Sequence, residues 1–232
     1  MKSAIISGDI IAYTTLNKNE KLKLEKELNA FLKLLKKEYD VFGRIIKGDY
    51  LECYIPETYK VLRIALIIKS FIKTIVFEIK SSTKEKTNRL KTFKTYGIRI
   101  AIGIGDLERL DFKKGIIDGE AIYMSGRLIS NLKTYDKERA TVKNTLFIKT
   151  YNDELNGEMN ALIALLDKVF LDATAKQAEV IFYKLRSFNE IEIAEILRIS
   201  QPAVNQHSTS AGWNAIEKAV LRFEEVIKEK VK

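Results

Sequence analysis

The 232-residue chain has little of what often carries catalysis or cross-linking. Its single cysteine, Cys53, excludes an internal disulfide and suits a reducing compartment. Its single histidine, His207, leaves no His/Cys zinc set to assemble. No Ser-His-Asp arrangement is readable around that histidine, and no Walker-type phosphate loop is present. Two prolines and 11 glycines leave little material for long linkers. No apolar run approaches the roughly 20 residues of a membrane-spanning helix. The start, MKSAIISGDII, is broken early by a glycine and an aspartate, without a small-residue cleavage site. It reads as a first strand, and the expected location is the cytoplasm, with no membrane partner.

What the chain has is an ordinary apolar content of 46% and a net charge of +9. The charge is uneven. Residues 151–232 hold 10 Lys and Arg against 13 Asp and Glu, a balance of −3, which leaves +12 for residues 1–150. Phosphate contacts from Lys and Arg supply most non-specific DNA affinity. A nucleic-acid role for the C-terminal part would therefore draw cations from elsewhere, or from a dimer.

Apolar spacing predicts strands at 4–7, 44–46, 50–55, 96–105 and 141–150. It predicts helices at 20–39, 57–79 and 119–134, with a polar, lysine-rich loop at 80–94. From residue 156 the pattern is helical to the end. The expected fold is α+β: a ferredoxin-like sheet domain over residues 1–152, followed by an all-α helix-turn-helix domain over residues 157–232, with the boundary in the polar NDELNGE.

Residues 190–205, EIEIAEILRISQPAVN, read as a helix-turn-helix. Ile193, Ala194 and Leu197 share one helix face; Ser200 can cap the next helix, and Pro202 suits its first turn. That helix offers Gln201, Asn205, Gln206, Ser208 and Thr209, neutral polar side chains suited to base edges in a major groove. The bland alternative is a set of exposed polar residues on a helix bundle. Downstream, Trp213, Ile216, Val220, Phe223 and Ile227 form a core or dimer stripe.

Asp9 and Asp49 stand at the tips of strands that a ferredoxin-like sheet places side by side. Two carboxylates there can hold a divalent metal, Mg or Mn, which in turn binds phosphates; as turn residues they need no such role. The stretches SGDII, KGDYLECY, GIRIAIGIG and GEAIYMSGR occur in the order found in class III nucleotidyl cyclase catalytic domains, and resemble SatD-family proteins more closely still. The resemblance covers about residues 1–150. It implies that Asp9 and Asp49 match the metal-binding aspartates and Arg127 the arginine that steadies the transition state, with Lys47 and Arg127 as phosphate-binding candidates. It also implies a head-to-tail homodimer. Two positions depart from the pattern: Tyr123 replaces the ribose-orienting asparagine, and Ile45 the purine-selecting lysine. Residues 160–225 resemble region 4 of sigma-70-type factors, with Arg198 where a turn glycine is usual.

Together these readings predict a DNA-binding transcriptional regulator. Its cyclase-like domain would be catalytically degenerate, dimerise and sense a nucleotide-like ligand, and its partner would be double-stranded DNA. The alternatives are a metal-dependent nucleotidyl cyclase regulated by its C-terminal helices, and a module that binds the transcription machinery, such as RNA polymerase.

Overall fold

The computed structural model describes residues 2–77, 84–138 and 144–231. The apolar start forms strand β1 (Lys2–Ile10), followed by a 3-10 turn at Tyr13–Thr15 and helix α1 (Lys18–Tyr39). Asn17 and Glu20 form a capping box that fixes where α1 begins. Strands β2 (Phe42–Ile46) and β3 (Tyr50–Ile55) make the expected hairpin. Helices α2 (Val61–Thr74) and α3 (Lys84–Tyr96) lead to β4 (Ile98–Asp111), β5 (Ile116–Gly119), α4 (Glu120–Glu138) and β6 (Leu146–Thr150). Five helices follow: α5 (Asp153–Asp172), α6 (Ala175–Leu185), α7 (Glu190–Leu197), α8 (Gln201–Ser210) and α9 (Trp213–Lys230).

Two expectations need correction. The segment read as one helix over 57–79 is a 3-10 turn at Thr58–Lys60 and then α2, which stops at Thr74. The lysine-rich stretch expected as a loop is helical from Lys84. Leu90 and Phe93, one turn apart, are buried there, and the Phe93 ring meets Phe77 with centroids 5.1 Å apart. Two apolar anchors are enough to seat a helix whose other positions are mostly polar. Residues 78–79 of the expected helix, 80–83 of the expected loop and 141–143 of the last expected strand lie outside the described residues. Strand β5, four residues long, was not expected.

The sheet order is β2-β3-β1-β4-β5, antiparallel throughout, with β6 parallel to β4 on the same edge as β5. Side chains alternate between two faces. Ala4, Ile6 and Ile10 of β1 join α1 and α2 in the main core, whereas Ile5 joins Ala121 of α4 on the opposite face. Helix α4 lies very close to β4: a Cβ at Gly103 would stand 2.0 Å from the Ala121 carbonyl oxygen. The outer edge of β6 is closed by side-chain amides from α5. Asn160 pairs with both the N–H and the carbonyl of Ile148, and Asn156 does the same for Thr150, at 2.7–3.0 Å.

The helices after Thr150 share the sheet's core and do not stand apart from it. Phe31 of α1 and Phe71 of α2 stack at 4.1 Å, and Phe182 of α6 tilts against both. Arg63 of α2 makes a two-pronged bond to Glu224 of α9. Lys69 of α2 reaches the fully buried Asp167 of α5 at 3.0 Å. One turn on, Lys73 donates to the carbonyls of Phe170 and Leu171 at the C-terminal end of α5, where cations are favoured.

Candidate functional site

The antiparallel register sets Asp9 of β1 opposite Tyr50 of β3 and, on its other side, opposite Arg99 of β4. Asp49, one residue before Tyr50, therefore arrives beside Asp9, and the Ile10 amide donates to the Asp49 carbonyl at 2.9 Å. Both residues line one open cleft of about 210 Å³, shared with Ala12, Tyr13, Thr14 and Arg99. Both expected acidic tips thus meet in one place.

Arg99 was not foreseen as part of the site. Its Nη1 donates to Asp9 Oδ2 at 2.9 Å, and both side chains are buried. The sequence shows only a charged residue inside the otherwise apolar IRIAIGIG; its place opposite Asp9 comes from the register of β1 with β4. Such a charge-assisted bond fixes the Asp9 carboxylate in place.

Tyr13 is a second residue the sequence reading missed. Gly48 has φ 81°, and a Cβ there would stand 2.5 Å from the Tyr13 hydroxyl, so the ring rests directly on the hairpin turn. Burial, reinforced by the Asp49 carboxylate, raises the Tyr13 phenol above its ordinary pKa. Ala12, just ahead of it, is left-handed at φ 60°, which costs a non-glycine residue on the order of 1 kcal/mol.

The donor set fits Mg or Mn. Carboxylate oxygens are hard ligands, and Mg is commonly held by one or two carboxylates with water and substrate phosphates completing its shell. Among the described residues no group of three His, Cys, Asp or Glu converges to enclose a metal. Any ion here would therefore rest on Asp9 and Asp49, with further oxygens supplied by a ligand and water.

Other candidates lie elsewhere. Lys47 is exposed in the hairpin turn at φ 55° and does not line the cleft. Arg127 is exposed on α4, with its guanidinium 5.9 Å from the Tyr123 ring centroid, also outside the cleft. Tyr123 is itself bonded to Asp118. Ile45, at the purine-selecting position, packs against the main core, while Arg44 pairs with Glu52.

In the helical part, α7 and α8 are joined through Arg198 in the left-handed conformation, φ 55°. Val180, Ile193 and Val204 form a small core beneath them, and the Ser200 hydroxyl accepts from the Ala203 amide. Gln201, Asn205, Gln206 and Thr209 are exposed. Ser208 is not available for base contact: it is buried, and its hydroxyl donates to the Asn205 carbonyl. Gln201 and Asn205 each donate to Glu190 at 3.4 Å. Glu190 is also paired with Lys184 at 3.0 Å, and this bond, with the two amides, holds its carboxyl below the usual range. With Glu192 and Glu195 the exposed side of α7 is acidic, and α8 carries no Lys or Arg.

Among the described residues no helix is long and apolar enough to cross a membrane. No protein-family description matches the chain, and no curated protein does. Solved structures similar to it include a bacterial light-regulated adenylyl cyclase, at 17% identity and a TM-score of 0.40, over 64% of this chain and 42% of that one. Another is the catalytic core of a rhodopsin-guanylyl cyclase with converted specificity, at 16% identity and a TM-score of 0.38, over 56% of this chain and 71% of that one. The chain thus spans about two fifths of the length of the first of these proteins.

Proposed function

We propose that the chain is a transcriptional regulator in which the Asp9–Asp49 cleft binds a nucleotide through a divalent metal and the α7–α8 pair contacts DNA. The observation that carries the proposal is the convergence of Asp9 and Asp49 on one cleft, with Arg99 fixing Asp9. A bound Mg or Mn would supply positive charge to phosphate oxygens there. The chain's own part is to hold the carboxylates at adjacent strand ends and to cover the turn with Tyr13. Gln201, Asn205, Gln206 and Thr209 would read bases, with amides favouring adenine. The negative balance of residues 151–232 and the acidic side of α7 oppose phosphate approach, so the phosphate contacts would come from the basic first part, or from a second copy in a homodimer.

Selection of bound fragments from sheared DNA, with and without Mn and a nucleoside triphosphate, tests this reading. Enrichment of a paired motif, lost in an Asn205→Ala/Gln206→Ala variant, is the expected result. No enrichment in any ligand state would remove the DNA role.

A second reading is a nucleotidyl cyclase completed by two chains, and the exposure of Arg127 outside the cleft of its own chain favours it. Tyr123, in the asparagine position and tied to Asp118, speaks against it. Cyclic product from a nucleoside triphosphate and Mn, abolished by Arg127→Ala, would establish this reading. An RNA polymerase contact through the acidic α7 is the remaining alternative, and a DNA-independent pull-down would report it.

A further inference from the structure

A second, larger cavity of about 410 Å³ opens where α2, the α6–α7 turn and α9 meet, away from the Asp9–Asp49 cleft. Its lining combines three chemistries. Lys184 supplies a cation, Arg63 a second one already paired with Glu224, Glu217 an anion, and Phe188, Trp213 and Leu221 an apolar wall. Lys184 spends one bond on Glu190 and keeps donor capacity, since an ammonium carries three N–H groups. Glu217 is exposed and makes no ion pair with any described residue. Leu221 is 47% exposed, which is high for a leucine beside a buried tryptophan. Ser187, in the turn that forms one wall, is left-handed at φ 67°, where a non-glycine residue is strained.

We propose that this cavity binds a small zwitterion of the α-amino-acid class with an apolar side chain. Lys184 would take the carboxylate, Glu217 the ammonium, and Phe188, Trp213 and Leu221 the side chain. A cation and an anion beside an apolar wall in one cavity match this ligand class; a plain anion or cation would leave an opposite charge unused. The cavity is also connected to α8, because Lys184 holds Glu190, which in turn holds Gln201 and Asn205. A carboxylate drawing on Lys184 would loosen that chain of bonds. The binding proposal itself stands independently of whether α8 reads DNA.

Trp213 is the only tryptophan in the chain and lines this cavity, so a ligand bound here should change its emission. The experiment titrates the full-length protein with L-leucine and L-phenylalanine. Leucine amide and 4-methylpentanoic acid, each lacking one charge, serve as comparison probes. A saturable shift with at least one amino acid is expected, with each one-charge probe binding about tenfold more weakly. Glu217→Gln, at an exposed position that leaves the fold unchanged, should weaken amino-acid binding by a similar factor while leaving 4-methylpentanoic acid unaffected. No saturable shift with either amino acid would overturn the proposal. So would equal binding of the one-charge probes, or amino-acid binding that survives Glu217→Gln unchanged.

Discussion

Asp9 and Asp49 share one cleft but hold different positions in the fold. Asp9 is buried and bonded to Arg99; Asp49 is half-buried in a turn. Removing one partner of a buried ion pair leaves an uncompensated charge and costs about 3–5 kcal/mol. Asp9→Ala should therefore lower the denaturation midpoint strongly, whereas Asp49→Asn should change stability by about 0.5 kcal/mol or less. Urea unfolding of both variants checks this, and equal losses would mean that the Asp9–Arg99 pair contributes little. The two carboxylates could be read from the sequence because each follows a glycine beside an apolar strand segment. Arg99 and Tyr13 were not legible as site residues: each sits in a segment whose pattern is already explained by strand or turn, and only the register of β1 with β4 and the bare Gly48 turn bring them to the cleft.

At the scale of elements, strand edges and helix ends explain what the apolar pattern could not. Strand β6 lies at an edge that another chain could extend. Asn156 and Asn160, one helical turn apart on α5, occupy its outward N–H and carbonyl groups. Two asparagines in a helix read as weak helix formers, and their purpose emerges only once α5 lies along β6. Asn156→Ala should cost about 1–3 kcal/mol by leaving the Thr150 groups unpaired. A loss within 0.5 kcal/mol, the range of ordinary surface changes, would argue that water replaces the amide without penalty.

Helix α2 is tied to α5 by two lysines that its apolar pattern gives no reason to bury. Burial, with Lys69 nearby, lowers the Lys73 pKa from its ordinary value to about 8. The unfolded chain then binds more protons than the folded one between about pH 8 and the ordinary lysine range. This contribution to stability is fully present above the unfolded pKa and is lost as pH falls through about 8. Chemical denaturation of the wild type and of Lys73→Met should show a stability rise above pH 8 that the variant lacks. Parallel profiles would contradict the shift.

At the scale of the whole molecule, the polar NDELNGE suggests a linker, yet the helices after it pack into the core of α1 and α2. A boundary signal reports local composition, whereas the burial of Phe182 against Phe31 and Phe71 depends on faces far apart in sequence. The continuous core predicts one cooperative unfolding transition, with Trp213 emission and far-ultraviolet dichroism coincident. Phe182→Ala, removing about 3–5 kcal/mol, should shift both probes together. Two separated transitions would show that the sheet and helical parts fold independently.

The central proposal is a metal-dependent nucleotide site at the Asp9–Asp49 cleft, and calorimetric titration with ATP and GTP is its sharpest test. Wild type and Asp49→Asn would be compared with and without Mn. The wild type should bind saturably only with Mn, and Asp49→Asn should weaken that binding by about tenfold or more, as expected for loss of a charged ligand contact. Binding that ignores Mn, binding unchanged in Asp49→Asn, or no binding by the wild type would contradict it.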